Sequence, residues 1–272
     1  MAAGKAIRFG SVKQLLTVGP NHEILADYAI KEVQKLNFSK VVMITREELI
    51  DAFTTHFKEQ NHTISIEYVC QDKFIPEQKI NGDFRFYGTG MALLSAKPSL
   101  TEDFIIINGD DYYGEGVFPE IANSLSYYSK YNVFLAGYKL INTLSPYGAV
   151  SRAVCMLNQE NELIDLNEHT KIIKEGDHIL SLERGEVLLP DTPVSMNCWG
   201  FRPDFFETVL AEFEDYIYQM PYWEHKEFSL PDIVKRHLNK FPLSAKLIPV
   251  NSKWVGLTYS EDKNTVSEFL KA

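Results

Sequence analysis

Over the first half of the chain, apolar residues recur at two alternating spacings. In "EILADYAIKEVQKL", Ile24, Ala26, Tyr28, Ala29, Ile30, Val33 and Leu36 follow a helical period, and the β-branched run "KVVMIT" at 40–45 comes next. "EELIDAFTTHFKEQ" is again helical and "TISIEYV" strand-like; "GMALLSAKPSL" predicts a helix that starts on glycines. "FIIING" is a fully buried strand, "FPEIANSLSYYSK" a helix and "YNVFLAGY" a further strand. Such alternation predicts parallel strands joined by crossover helices.

From about residue 148 the pattern changes. "GAVSRAVCML", the turn "NQEN" and "ELIDLNEH" predict a hairpin, and "HILSL" and "EVLL" add short strands. "PVSMNCWGF" is a strand that leads into a helix through "PDFFETVLAEFEDYIYQM". A helix in "SLPDIVKRHLNK", a strand in "SAKLIPV" and a terminal helix from about Ser260 complete the pattern. With no repeat, low-complexity tract or flexible linker, residues 1–272 are expected to form a single domain, with halves 1–140 and 141–272.

Composition narrows the function. A chain of 272 residues with 45% hydrophobic and 24% charged residues can bury a sizeable core. The net charge of −10 argues against nucleic acid or anionic membrane as partner, though a local basic pocket for a small anion remains compatible. Cys70, Cys155 and Cys198 form no metal spacing and no disulfide framework, which suits a reducing compartment. No apolar run is long enough to span a membrane and no leader precedes "MAAGK", so a cytoplasmic location is expected.

Three stretches carry candidate chemistry. In "FIIINGDDYYG", a buried strand ends in Asp110 and Asp111, where open α/β sheets meet their ligands. Because side chains alternate along a strand, one acid is expected to face the crevice while its neighbour caps or leans into the loop. A carboxylate there can hold Mg²⁺ beside phosphate oxygens; the same acids would also suit a solvated turn. In "YGTGMALLSAK", Gly88, Thr89 and Gly90 leave the helix start open to a phosphate or a planar base, or form a simple cap. In "MAAGKAIRFGSVKQL", flexible backbone and the cations Lys5, Arg8 and Lys13 suit a polyphosphate, or a frayed charged terminus.

Taken in order, the AAG-x-x-x-R-F-G-x-x-K-Q-L loop, the GTG-x-A-L helix start, "INGDDYYG" and a later Tyr-Gly hairpin resemble the sugar-phosphate nucleotidyltransferases over nearly the whole chain. That family joins a nucleoside triphosphate to a sugar 1-phosphate and releases pyrophosphate. The resemblance implies a mostly parallel, doubly wound (Rossmann-like) sheet with helices on both faces and a smaller mixed β region from about residue 140. It implies that Ala3, Gly4, Arg8 and Lys13 bind the triphosphate, with Arg8 and Lys13 stabilising the transition state, and that Gly88, Thr89 and Gly90 contact the base. Asp110 would hold the catalytic Mg²⁺. Tyr147, Gly148, Glu168, Asn197 and Glu227 would contact the sugar phosphate.

The departures from the family pattern are specific. Ala6 stands where a second glycine is usual. His169 replaces the lysine that follows the family's glutamate, which removes a phosphate contact or moves it to Lys171 or Arg152. The second metal-binding acid usually lies two residues after a tryptophan, but Trp254 is followed by Gly256, leaving Asp262 as the substitute ligand. The family also feeds its glycine-rich loop from an apolar strand, so an apolar extension before Met1 is expected to add a central strand. Two further readings follow: cytidylyl transfer to a phospho-alcohol such as phosphocholine, and an inactive nucleotide-sugar-binding regulator. The residues do not identify base, acceptor or oligomeric state.

Overall fold

The computed structural model describes residues 1–4, 12–73, 88–219, 227–259 and 261–271. Two short parallel strands, β1 (Val41–Thr45) and β2 (Ile66–Cys70), accompany helices α1 (Leu25–Val33) and α2 (Ile50–Glu59). Helix α3 (Thr89–Ser95) leads through Pro98 to β3 (Phe104–Ile106). Strand β4 (Asp111–Tyr112), helix α4 (Val117–Tyr127) and β5 (Val133–Lys139) follow.

The hairpin region is β6 (Val150–Leu157), β7 (Leu163–Glu175), β8 (His178–Ser181) and β9 (Glu186–Leu188). The long strand β10 (Pro193–Phe201) then returns to the centre, followed by α5 (Phe205–Gln219), α6 (Leu230–Lys240), β11 (Ala245–Val250), β12 (Val255–Gly256) and α7 (Asp262–Lys271).

The main sheet is mixed, which corrects the expectation of a mostly parallel one. Among the described residues its order is β11-β5-β10-β6-β7-β8-β9, with β3 also on β10. Strands β11 and β5 are parallel, whereas β10 runs antiparallel to β3, β5 and β6. The reason is connectivity. A parallel neighbour needs a crossover of about a dozen residues or more, and β10 arrives instead from the β6–β9 hairpins.

Alternation along these central strands builds a core on each face. Val133 and Leu135 of β5, Trp199 and Phe201 of β10 and Ala245 and Leu247 of β11 pack with α3, α5 and α6. Phe134, Ala136 and Tyr138 of β5 and Cys198 of β10 pack with Val117, Phe118, Ile121 and Leu125 of α4. Both faces of β10 are therefore covered, which is why "PVSMNCWGF" is almost continuously apolar.

The chain start joins the two sheets. The Met1 nitrogen donates to the Ile107 carbonyl at 2.7 Å and the Gly109 amide donates to the Met1 carbonyl at 2.7 Å. On the other side the Ala2 amide donates to the Ile44 carbonyl at 2.7 Å. Met1 and Ala2 thus lie between the end of β1 and the residues that follow β3.

Helix α6 carries Pro231 in its first turn and is capped by Ser229, whose hydroxyl accepts from the Asp232 amide at 3.3 Å. Ser229→Ala is expected to destabilise the fold by about 1 kcal/mol and lower the melting temperature by roughly 2–4 °C. A melt unchanged from the parent would show that the cap contributes nothing.

Candidate active site

Beyond β3 lies a polar cavity of about 250 Å³. Its lining comes from the β3–β4 turn (Asn108, Asp110, Asp111), from Lys13, from Ser151 and Arg152 on β6, and from Glu168 on β7. Ser195, Met196 and Asn197 of β10, with Pro231, Trp254 and Thr258, complete it.

The acidic pair belongs to this lining. Lys13 Nζ is 2.7 Å from Asp110 Oδ2, with both side chains 19% exposed. Asp111 is buried; Asn108 Nδ2 donates to its Oδ2 at 2.8 Å, and the Tyr113 hydroxyl lies 3.3 Å from the same oxygen. Burial, and then the neighbouring Asp110 charge, push the Asp111 carboxyl up to about 7. Gly109 and Asp110 form a turn, so strand alternation does not apply across them, and both acids line the cavity. The expectation that one acid would turn away is therefore corrected.

Gly256 sits against this pair. Strand β12 pairs antiparallel with β4, setting Gly256 opposite Asp111, and a Cβ at 256 would lie 2.5 Å from Asp111 Oδ1. No carboxylate side chain fits there without displacing Asp111. The proposed substitute, Asp262, is not in the cavity lining: its Oδ2 accepts from the amides of Thr258 at 2.7 Å and Tyr259 at 2.6 Å, closing the turn that starts α7. The geometry thus does not bring Asp262 to Asp110.

The remaining candidates divide. Glu168 and Asn197 line the cavity with Lys13 and Asp110. Asn197 has a left-handed backbone (φ 59°) where β10 shifts register between Ser195 and Trp199, a bulge that re-aims a side chain. Its Oδ1 accepts from Trp199 Nε1 at 3.2 Å. Burial raises the Glu168 carboxyl above its usual range, with further contributions from Asp232, Glu227 and Glu183; Glu227 is exposed and outside the lining.

Tyr147 and Gly148 lie outside the lining as well, with the Tyr147 hydroxyl 2.8 Å from Thr265 Oγ1 on α7. Ala3 and Gly4 belong to the segment entering the loop, where the Gly4 carbonyl accepts from Gln14 Nε2 at 3.0 Å. Arg8, Lys5 and Ala6 lie outside the described residues.

At the Gly88-Thr89-Gly90 turn, the segment before α6 meets part of the helix start. The Gly90 amide donates to the Phe228 carbonyl at 2.9 Å, and Thr89 Oγ1 accepts from the Leu230 amide at 2.8 Å. A Cβ at Gly88 would meet the Phe228 carbonyl oxygen at 2.3 Å. The glycines therefore let the segment before α6 approach α3 closely. Nothing in "YGTGM" alone could show this, because Phe228 is distant in sequence.

The lining also contains Asn108, Ser151, Ser195 and Trp254, which the motif reading did not assign as site residues, and Arg152, which it named with Lys171 as an alternative phosphate contact. Arg152 is the most unusual of them: burial pulls its guanidinium down to about 10. As for a metal, Asp110 and Asp111 offer adjacent hard oxygen donors. Mg²⁺ takes one or two carboxylates and fills its shell with phosphate and water, so this donor set fits it. Among the described residues no group of three or more His, Cys, Asp or Glu gathers in a metal-binding arrangement.

No family model matches the chain, and no curated protein matches it. Solved structures do. The chain is similar to an inositol-1-phosphate CTP transferase from T. maritima, at 12% identity over 99% of this chain and 92% of that one, TM-score 0.63. It is similar to the CTP:phosphocholine cytidylyltransferase LicC from Streptococcus pneumoniae, at 14% identity over 99% and 96%, TM-score 0.62. A Bacillus anthracis protein described as a candidate glucose-1-phosphate thymidylyltransferase aligns at 11% identity over 96% and 87%, TM-score 0.64. The fold is thus that of the sugar-phosphate and phospho-alcohol nucleotidyltransferases. Among the described residues no helix is long and apolar enough to cross a membrane.

Proposed function

We propose that this chain is a nucleotidyltransferase that joins a nucleoside triphosphate to a sugar 1-phosphate, releasing pyrophosphate. The observation that carries the reading is the Lys13–Asp110 pair at 2.7 Å, beside buried Asp111 in a cavity at the end of β3. A phosphate oxygen of the acceptor attacks the α-phosphorus; the bond to the bridging oxygen of the β-phosphate breaks, and pyrophosphate leaves with that electron pair. The protein mainly positions the reactants and stabilises charge. Lys13, together with Arg8, neutralises charge building on the leaving pyrophosphate. Asp110 and Asp111 would hold Mg²⁺, which supplies Lewis-acid charge neutralisation on phosphate oxygens when bound. Lys13 meets Asp110 in the structure, so the lysine is available to triphosphate oxygens when that pair opens.

A second acceptor class is favoured by a different observation. The charges of Asp232, Glu227 and Glu183 act on Glu168, although Arg184 Nη2 donates to the Glu168 carbonyl at 3.1 Å; this acidic bias suits the cationic end of a phospho-amino-alcohol such as phosphocholine. Pyrophosphate release across the four common nucleoside triphosphates, with a panel of sugar 1-phosphates and phosphocholine, tests both readings. Turnover with one acceptor class is the expected result. No turnover with any pair, together with tight binding of a nucleotide sugar, would overturn transfer in favour of a regulator.

A further inference from the structure

The Tyr113 side chain is buried, and its hydroxyl meets groups from two separate parts of the site. It accepts from the Asn108 amide at 3.0 Å and donates to the Met196 carbonyl at 3.0 Å. Asp111 Oδ2 lies further off, at 3.3 Å. The backbone of the residue is fixed as well, because the Tyr138 hydroxyl donates to the Tyr113 carbonyl at 2.7 Å. Burial keeps the Tyr113 phenol well above its ordinary value, so it stays a neutral hydroxyl at working pH.

The Met196 carbonyl belongs to the bulge of β10. There the registers of β10 with β3, β5 and β6 skip Met196, Asn197 and Cys198, so ladder pairing does not set their position. Side chains hold the bulge instead. Tyr113 donates to the Met196 carbonyl, the Asn197 amide donates to Ser195 Oγ at 3.2 Å, and Trp199 Nε1 donates to Asn197 Oδ1 at 3.2 Å. The residue after Met196 is Asn197, with its left-handed backbone and its place in the cavity lining. The Tyr113 hydroxyl therefore bridges the turn that carries Asp110 and Asp111 to the bulge that presents Asn197. Transfer between two bound reactants is sensitive to misplacement by about 1 Å, so a bridge between these segments bears on rate.

We propose that Tyr113 is a positioning residue for nucleotidyl transfer, its hydroxyl fixing the spacing between the Asp110–Asp111 turn and Asn197. It touches no reactant and acts through these two segments. This role rests on the nucleotidyl-transfer reading, and one of its two measurements needs no turnover. Tyr113→Phe keeps the ring and loses only the hydroxyl; Tyr138→Phe loses a comparably buried hydroxyl that does not touch the bulge. The indole N–H resonance of Trp199, bonded to Asn197, reports on the bulge and is identified by its response to Asn197→Gly. It is expected to shift in Tyr113→Phe and to keep its position in Tyr138→Phe. An unmoved resonance in Tyr113→Phe would overturn the tether itself.

The second measurement uses the acceptor found in the screen. In Tyr113→Phe, kcat is expected to fall about tenfold while both KM values stay within about twofold. Tyr138→Phe is expected to keep kcat within about twofold, although both variants melt a few degrees lower. Asn197→Gly allows the left-handed backbone and removes the side chain, so in that background Tyr113→Phe should cost less than about threefold. An equal kcat loss in Tyr138→Phe, or a tenfold loss that persists beside Asn197→Gly, would mark the hydroxyl as merely structural and overturn the proposal. A Tyr113→Phe variant that fails to fold would do the same. Wild type inactive with every acceptor would overturn the transfer reading and the positioning role with it, whereas turnover with an unchanged kcat in Tyr113→Phe would overturn Tyr113 alone.

Discussion

Asp110→Asn is expected to cut Mg²⁺-dependent pyrophosphate release by about 100-fold or more while leaving the fold intact. The carboxylate is 19% exposed and held by Lys13 at 2.7 Å in the cavity lining, so its removal leaves no deeply buried group without a partner. Asparagine keeps the shape but not the negative charge that would hold Mg²⁺ beside phosphate oxygens. Lys13→Ala is expected to lower kcat and kcat/KM together, the signature of an interaction made mainly in the transition state. Activity of Asp110→Asn equal to wild type, across a Mg²⁺ titration, would remove the metal assignment.

Asp111→Asn should behave differently from Asp110→Asn, because the buried carboxyl accepts from Asn108 and lies beside Tyr113 and Gly256. Its loss disturbs the turn itself, so a comparison of melting temperatures separates the two acids even where both variants lose activity.

Gly88→Ala is expected to destabilise the fold by about 1–3 kcal/mol, the usual cost of overpacking a close contact. The added Cβ would meet the Phe228 carbonyl oxygen at 2.3 Å, and backbone cannot swing aside as a flexible side chain would. Phe228 is fully buried between Phe213 and Tyr216 of α5, with ring centroids 5.6 and 5.1 Å away, so a shift there propagates into the core. Gly88 is extended (φ −176°), so the effect is packing and not backbone strain. A thermal melt superimposable on that of the parent would show that the segment before α6 yields freely, and that the glycine has no packing role.

Much of the architecture was legible in the chain because local period and burial agree there. The helices at 23–36, 47–60 and 118–130 and the strands at 40–45 and 104–109 appear within a few residues of where apolar spacing puts them. Asp110 at the end of β3 was legible for the same reason: a short apolar run ending in Gly-Asp-Asp puts an acid at a strand terminus whatever the rest of the sheet does.

Contacts between residues far apart in sequence were decided only in three dimensions. Strand direction is one. "PVSMNCWGF" has the same apolar pattern in either orientation, and β10 became antiparallel because hairpins, not a crossover helix, brought it to the centre. The use of the Gly88–Gly90 turn is another, set by the Phe228 carbonyl and the Leu230 amide. The fate of Asp262 depended on two local amides that satisfy its carboxylate before it can reach Asp110.

Arg152 shows the division most clearly. Its charge is written in the sequence, but its burial on β6 and its place in a lining that also holds Lys13 and Asp110 depend on tertiary packing. Periodicity constrains which face of an element is apolar; it carries no information on which distant polar atom will satisfy a given donor, and that pairing determines the site.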